Sequence, residues 1–512
     1  MAKTRGVPNG GEPESKRRKF DLKGLSGAEI GVKLSGLIED LAQNRRFRKS
    51  HGAFGIFDVS AHLEKDKTAD DEAEKTGGLA AILKDAKDYL HQLQRGPPVA
   101  TKTTFLDGER VVATDYAVNW IGLSEATEDS THEITFNQKE PNPEFLWVSG
   151  MMDDQIAKIS LSDPTQQKFF RFAKGTQPHT LRFDDNGDLW VGLEYAGLLV
   201  KLKKFEHLGG DDDVMELNDS HFATKLDVRM QGNPSIPTPI NTHPHAFCFD
   251  PDKVHIWFTG KLTNTVGRVN INSGDVEHFA LPTLGAVPIY LAVGPDNNVW
   301  GTCLANNHIF RVTTTGPVIV TEIPITKHHS NRRPIAIKPD PRGAKYMWFS
   351  NEAGHSVCRV DCDAVEKYVK QELEKGNKVK AGCTCSHIFF SASSVQSAVT
   401  EYFIPRPQNN MLFAGLAFDE DHNLWLQSYV DASHPEPKGP DFIIRAGKSL
   451  LDAKAEDGKA NMTNVPIDYF ELPTKETILH RIIKGPDGNP WFTELGADRI
   501  GTVSVTKISP KS

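Results

Sequence analysis

Cysteine is scarce, with six in 512 residues. That is too few for disulfides to hold a chain of this length, and Cys248 and Cys303 fall inside strand-like stretches where they read as small buried hydrophobes. A reducing compartment fits both observations. No apolar run approaches the length of a membrane span, which predicts no membrane partner. Residues 1–21 are polar and lack the apolar stretch of a secretory signal, so the expected location is cytoplasmic. Neither charge sign dominates: 59 Lys and Arg stand against 67 Asp and Glu, for a net charge of -8. That balance argues against nucleic acid as an electrostatic partner. The basic run Lys16-Arg17-Arg18-Lys19 reads either as part of a solvated tail or as a nuclear localisation signal.

The chain has 41 Gly and 31 Pro, which imply many turns. After the polar tail, residues 22–99 carry helix-type patterning. Leu34, Leu37, Ile38 and Leu41 recur at steps of three and four residues, and 79–93 does the same. This predicts a helical N-terminal extension that stops at Gly96-Pro97-Pro98.

From about residue 100 the period changes to two. Seven of the eight tryptophans, Trp147, Trp190, Trp257, Trp300, Trp348, Trp425 and Trp491, sit at one place in a recurring unit. The shortest spacing, 43 residues, is the length of one four-stranded propeller blade. Each unit has an alternating strand, a turn rich in Asp with Gly or Asn, and a second strand around the tryptophan. A third and a fourth strand follow. Turns such as Asp184-Asp185-Asn186-Gly187 lack the ligand set of a calcium loop and read as tight turns. Seven such units predict an all-β fold, a seven-bladed β-propeller over residues 100–508, whose blades must stack and close to remove their open edges. The last unit stops after its third strand, so its fourth is expected from residues 103–119. Insertions are expected at about 363–394 and 431–463. The first brings Cys358, Cys362, Cys383, Cys385 and His387 near one another in sequence; their irregular spacing favours free thiols over a zinc site.

The segments PHTLRFDDNGDLW, PHAFCFDPDKVHIWFTG, LAVGPDNNVW and GPDGNPWFTELGADRIGTV resemble the repeats of the virginiamycin B lyase family, a seven-bladed propeller. The resemblance covers about residues 130–506 and leaves the N-terminal 100 residues and both insertions outside it. It implies a carbon–oxygen lyase, which removes a proton α to a carbonyl and expels a carboxylate from the β carbon. It also implies a divalent metal, magnesium in the family, that neutralises the developing enolate. The implied substrate is a small ester, lactone or cyclic depsipeptide-like natural product. The family's acidic-Pro-His element has its best match at Gln177-Pro178-His179, with Gln177 in place of the acid, followed by Glu194. His179 and His480 are therefore the catalytic candidates. Glu194, Glu494, Gln177 and His243 are the metal candidates.

The residue in the Pro-His position begins the innermost strand and faces the central channel at one end. Units seven, one, two and three are consecutive round the ring, so His480, His132, His179, His243 and His245 are expected on one side of one mouth. Ile289, Ile335 and Leu416 are expected at the corresponding place in the other units. Such a half-polar, half-apolar mouth suits a small molecule, with His132, His245, Tyr195 and Tyr290 as substrate-binding candidates. Two alternatives stay open. The imidazoles could hold a transition metal instead of magnesium, or the propeller could be a non-enzymatic scaffold for protein interaction. The oligomeric state is not legible.

Overall fold

In a computed structural model, residues 99–508 are described, apart from 107, 122–129, 205–213, 232–237, 326–331, 377–387 and 392–396. The expected polar tail, all but the last residue of the helical extension, and Cys383, Cys385 and His387 lie outside the described residues. The rest forms seven sheets, one per repeat, antiparallel within the four blade strands and with a parallel addition at the outer edge of three of them, and the fold is the expected seven-bladed propeller. No helix among the described residues is long and apolar enough to cross a membrane.

The innermost strands run, from blade 1 to blade 7, over Thr131–Phe136, Pro178–Phe183, Pro244–Phe249, Pro288–Val293, Pro334–Pro339, Met411–Phe418 and Leu479–Lys484. Every one pairs antiparallel with a second strand that carries the repeat tryptophan. Six of the seven indoles donate through Nε1 to an Asp in the turn just before them. These acceptors are Asp184, Asp250, Asp296, Asp340, Asp419 and Asp487. The turn Asp therefore both shapes the turn and takes up the one polar atom that a buried indole carries. The apolar face of each ring packs on the following blade. Trp190 clusters with Phe247 and Ile256 of blade 3, and Trp491 with Ile134 and Leu146 of blade 1. A period-two strand buried on both faces by its neighbours explains why these segments are nearly continuous apolar runs.

Ring closure follows the expectation. Arg499–Lys507, the third strand of blade 7, pairs antiparallel along its length with Glu109–Ala117, which supplies the fourth. Val99–Leu106 folds back on that strand as a fifth. Asp115, on the donated strand, and Arg499 form an ion pair in which neither side chain is exposed.

The two additions are more structured than loops. Helix α1 (Cys362–Glu374) is capped by the Asp361 carboxylate, which accepts from the Ala364 amide at 3.0 Å. Cys358 and Cys362 are buried and free. The stretch 431–463 contains the third strand of blade 6, Pro440–Ala446, so the addition proper begins at Gly447 with a 3-10 turn, Lys448–Asp452.

Candidate functional site

The pairing of the innermost strand shifts register at its second residue in six blades, and between Phe413 and Leu416 in blade 6, whose strand starts earlier, so that Ala414 takes the matching place. Such a bulge re-aims the side chains at that point. The residue before it is held at positive φ in five blades: Gln177, His243, Val287, Arg333 and Ile478. Its carbonyl accepts the amide of the residue that opens the loop after the second strand, as in Glu194 N to Gln177 O at 3.1 Å. This left-handed residue recurs in five blades, two of which lack a channel histidine, so it is a device of the repeat and not a mark of one active blade. Hydroxyls of neighbouring blades then fix the second position. Ser149 Oγ donates to the carbonyl of His179 at 2.7 Å, Thr180 Oγ1 to that of His245 at 2.6 Å, and Thr493 Oγ1 to that of His132 at 2.8 Å.

The second position is His132, His179, His245, Ile289, Ile335, Ala414 and His480 in blades 1 to 7. Leu416, expected there in blade 6, pairs two residues further along, opposite Leu426. The four imidazoles meet. His179 and His245 have ring centroids 3.9 Å apart, His132 lies 5.0 Å from His179 and 4.8 Å from His480, and His179 lies 5.9 Å from His480. Two sets of side chains have donor atoms within 4.8 Å of one another: His132, His179 and His480, and His179, Glu194 and His245.

Burial holds all four rings neutral. It pushes the His132 imidazole down to about 4, with Arg481 adding to the effect. His179, His245 and His480 are held well below the usual histidine range, again first by burial. His132 Nδ1 contacts the Ser130 carbonyl at 3.0 Å and His245 Nδ1 the Ile289 carbonyl at 2.7 Å. A carbonyl can only accept, so these nitrogens carry the proton and leave Nε2 with a free lone pair. His480 Nε2 is buried without a hydrogen-bond partner.

Glu194 is fully buried. Its Oε1 takes Lys261 Nζ at 3.1 Å and lies 3.7 Å from His243 Nδ1, while Oε2 has no hydrogen-bond partner. Burial raises its carboxyl above the ordinary range, against the pull of Lys261 and His243. His243 itself packs on Tyr195, centroid to centroid 4.5 Å, and Tyr195 is half exposed.

Glu494 belongs to neither set; its neighbouring charges are Asp115, Arg499 and Asp441, and burial pushes its carboxyl well up. The cause is register. Glu194 lies four residues past its tryptophan and Glu494 only three, and with a side-chain period of two that single step turns Glu494 to the opposite face. The residue of blade 3 that does match Glu194 is Lys261, four past Trp257. Gln177 is the left-handed residue before the strand; its backbone N–H donates to Asp154 Oδ1 at 2.8 Å, and its side-chain Oε1 is buried without a hydrogen-bond partner.

Tyr290 is buried one residue beyond the imidazole layer, with the Arg481 guanidinium 4.9 Å over its ring. Burial raises its phenol, and Lys338, Arg182 and Arg481 outweigh that and lower it. Glu133 joins the same group, 3.2 Å from Arg182 and 3.6 Å from Arg481. Sequence reasoning passed over Glu133, Arg182, Arg481 and Lys261. The signal was there, since Glu133 and Arg481 directly follow a channel histidine.

Among the described residues, the oxygen-rich set that magnesium requires does not assemble. Glu194 is the one carboxylate that joins the imidazoles, and the other donors are nitrogens. Magnesium does not fit this donor set.

Residues 228–432 match the model of the Virginiamycin B lyase family, the family whose repeats the sequence resembles. A streptogramin B lyase structure shares the fold with a TM-score of 0.51 at 19% identity, covering 77% of this chain and 98% of that one. The same holds for virginiamycin B lyase from Staphylococcus aureus, solved as a catalytically inactive histidine-to-alanine variant with quinupristin. That comparison gives a TM-score of 0.50 at 18% identity and covers 77% of this chain and 99% of that one. No curated protein sequence matches.

Proposed function

We propose that this propeller, similar to virginiamycin B lyase, is an enzyme that opens a small ester, lactone or cyclic depsipeptide-like substrate by elimination, with His480 as the proton acceptor. The observation that carries the reading is the meeting of four neutral imidazoles from consecutive blades. An imidazole held below its usual range keeps its lone pair at neutral pH. Of the four, His480 has a buried Nε2 without a hydrogen-bond partner and lies outside the set that contains Glu194.

The step balances without water. His480 takes the proton from the carbon α to the carbonyl. The electron pair left behind becomes a carbon–carbon double bond, the bond from the β carbon to the ester oxygen breaks, and the carboxylate leaves with the electrons of that broken bond. Negative charge builds on the carbonyl oxygen as the proton departs. Lys261 and Arg481 are the cations that press on all or most of the imidazoles, and a fixed positive charge beside a developing oxyanion lowers the barrier. His132, its Nδ1 pinned by the Ser130 carbonyl, suits substrate positioning.

The depsipeptide class comes from the family match and from the quinupristin in the solved relative. The test is product mass. The purified chain is incubated with quinupristin and a panel of simple lactones. The expected product is ring-opened with the mass of its substrate. A product heavier by one water would make the protein a hydrolase, and no turnover on any member would remove this substrate class.

A further inference from the structure

We propose that His179, Glu194 and His245 form a binding site for a divalent transition-metal ion. The site lies in the imidazole cluster that carries the lyase reading, but its three side chains have no assigned part in that reaction and the site does not depend on it.

All three side chains are buried, with exposures of 1%, 0% and 7%, and their donor atoms lie within 4.8 Å of one another. Glu194 Oε2 is a buried carboxyl oxygen with no hydrogen-bond partner. Leaving such an oxygen unsatisfied is costly, and a cation at that point would satisfy it. Lys261 occupies only Oε1. The Ile289 carbonyl takes the Nδ1 proton of His245 at 2.7 Å, which fixes the tautomer that a metal-binding Nε2 requires. Two imidazoles and one carboxylate are a donor set for zinc, iron, cobalt or manganese, with coordination positions left open for water or substrate. Calcium and magnesium prefer oxygen throughout. The second set, His132, His179 and His480, shares His179, so one ion cannot be fully held by both. The set with the orphaned carboxylate oxygen also brings the negative charge.

Cobalt(II) serves as the probe, because its visible absorption reports nitrogen-rich coordination. The full chain is stripped with a chelator, loaded with cobalt, desalted and assayed for metal content, with no substrate present. One cobalt per chain is expected to survive desalting and excess magnesium. Glu194→Gln and His245→Ala should each weaken binding by at least about tenfold, while His480→Ala binds as the parent does. Glu194→Gln keeps the shape of the side chain, and matching thermal melting of the variant shows that any loss is local. Cobalt lost on desalting, cobalt displaced by magnesium, or binding abolished by His480→Ala but not by Glu194→Gln would each overturn the assignment. Because metal content is read without turnover, failure to hold cobalt leaves the lyase reading standing, and the reverse also holds.

Discussion

Asp115→Ala is expected to lower stability by about 3–5 kcal/mol, because it breaks a buried ion pair by removing the carboxylate that lies on the Arg499 guanidinium. The carboxylate lies 2.7 Å from Arg499 Nε, and its other oxygen accepts the Thr474 amide of blade 6 at 3.1 Å. Asp115 is on the strand that the start of the domain donates to the last blade, so the loss falls on the seam of the ring. The measurement is the urea midpoint of the variant against the parent. A companion variant tests the cause. Replacing both partners by apolar residues of similar size, Asp115→Leu with Arg499→Met, should recover most of the loss, since a buried pair is worth little more than well-packed hydrophobes. A single variant as stable as the parent would mean that closure does not depend on this pair.

The second large effect concerns chemistry. His480→Ala is expected to lower kcat for ring opening by about 10²- to 10⁴-fold, the usual worth of a positioned general base, with little change in KM. His243→Ala, which removes a ring that packs on half-exposed Tyr195 at the rim, should act mainly on KM. The pH profile carries the sign. A base must be unprotonated to work, and burial holds His480 well below the ordinary histidine value of 6.5. The acid limb of kcat/KM should therefore lie below that value, with activity kept at mildly acidic pH and lost only as the solution becomes more acidic. A limb at or above 6.5 would show a solvated, unperturbed imidazole.

Much of this architecture is legible in the sequence, because a repeat writes its packing seven times. The tryptophans count the blades, and the truncated last unit calls for a strand from the chain's start. The Pro-His position forecasts a gathering of five histidines, of which His132, His179, His245 and His480 meet ring to ring while His243 packs on Tyr195 instead. What fails to read is register. Glu494 looks like a second Glu194 until its distance from Trp491 is counted, and Leu416 looks like the channel residue of blade 6. Counting back from Trp425 the eleven residues that separate His179 from Trp190 gives Ala414 instead. Both slips come from aligning by residue type: the Glu494 slip is one place, which at a side-chain period of two changes the face, and the Leu416 slip is two places, which moves the residue along the strand. The Lys261–Glu194 contact joins two blades through residues 67 apart, and no local pattern announces it. Glu133 was visible as a neighbour of His132, but its pairing with Arg182 and Arg481 depends on ring closure, which brings blade 7 beside blade 1.

The most direct test follows the atoms. The ring-opening reaction is run in water labelled with heavy oxygen, on a substrate carrying deuterium at the carbon α to the carbonyl. Proton abstraction by the imidazole group predicts that the deuterium washes into solvent and that no heavy oxygen enters the product. Retained deuterium together with incorporated heavy oxygen would show attack by water, and would contradict proton abstraction by the four converging histidines.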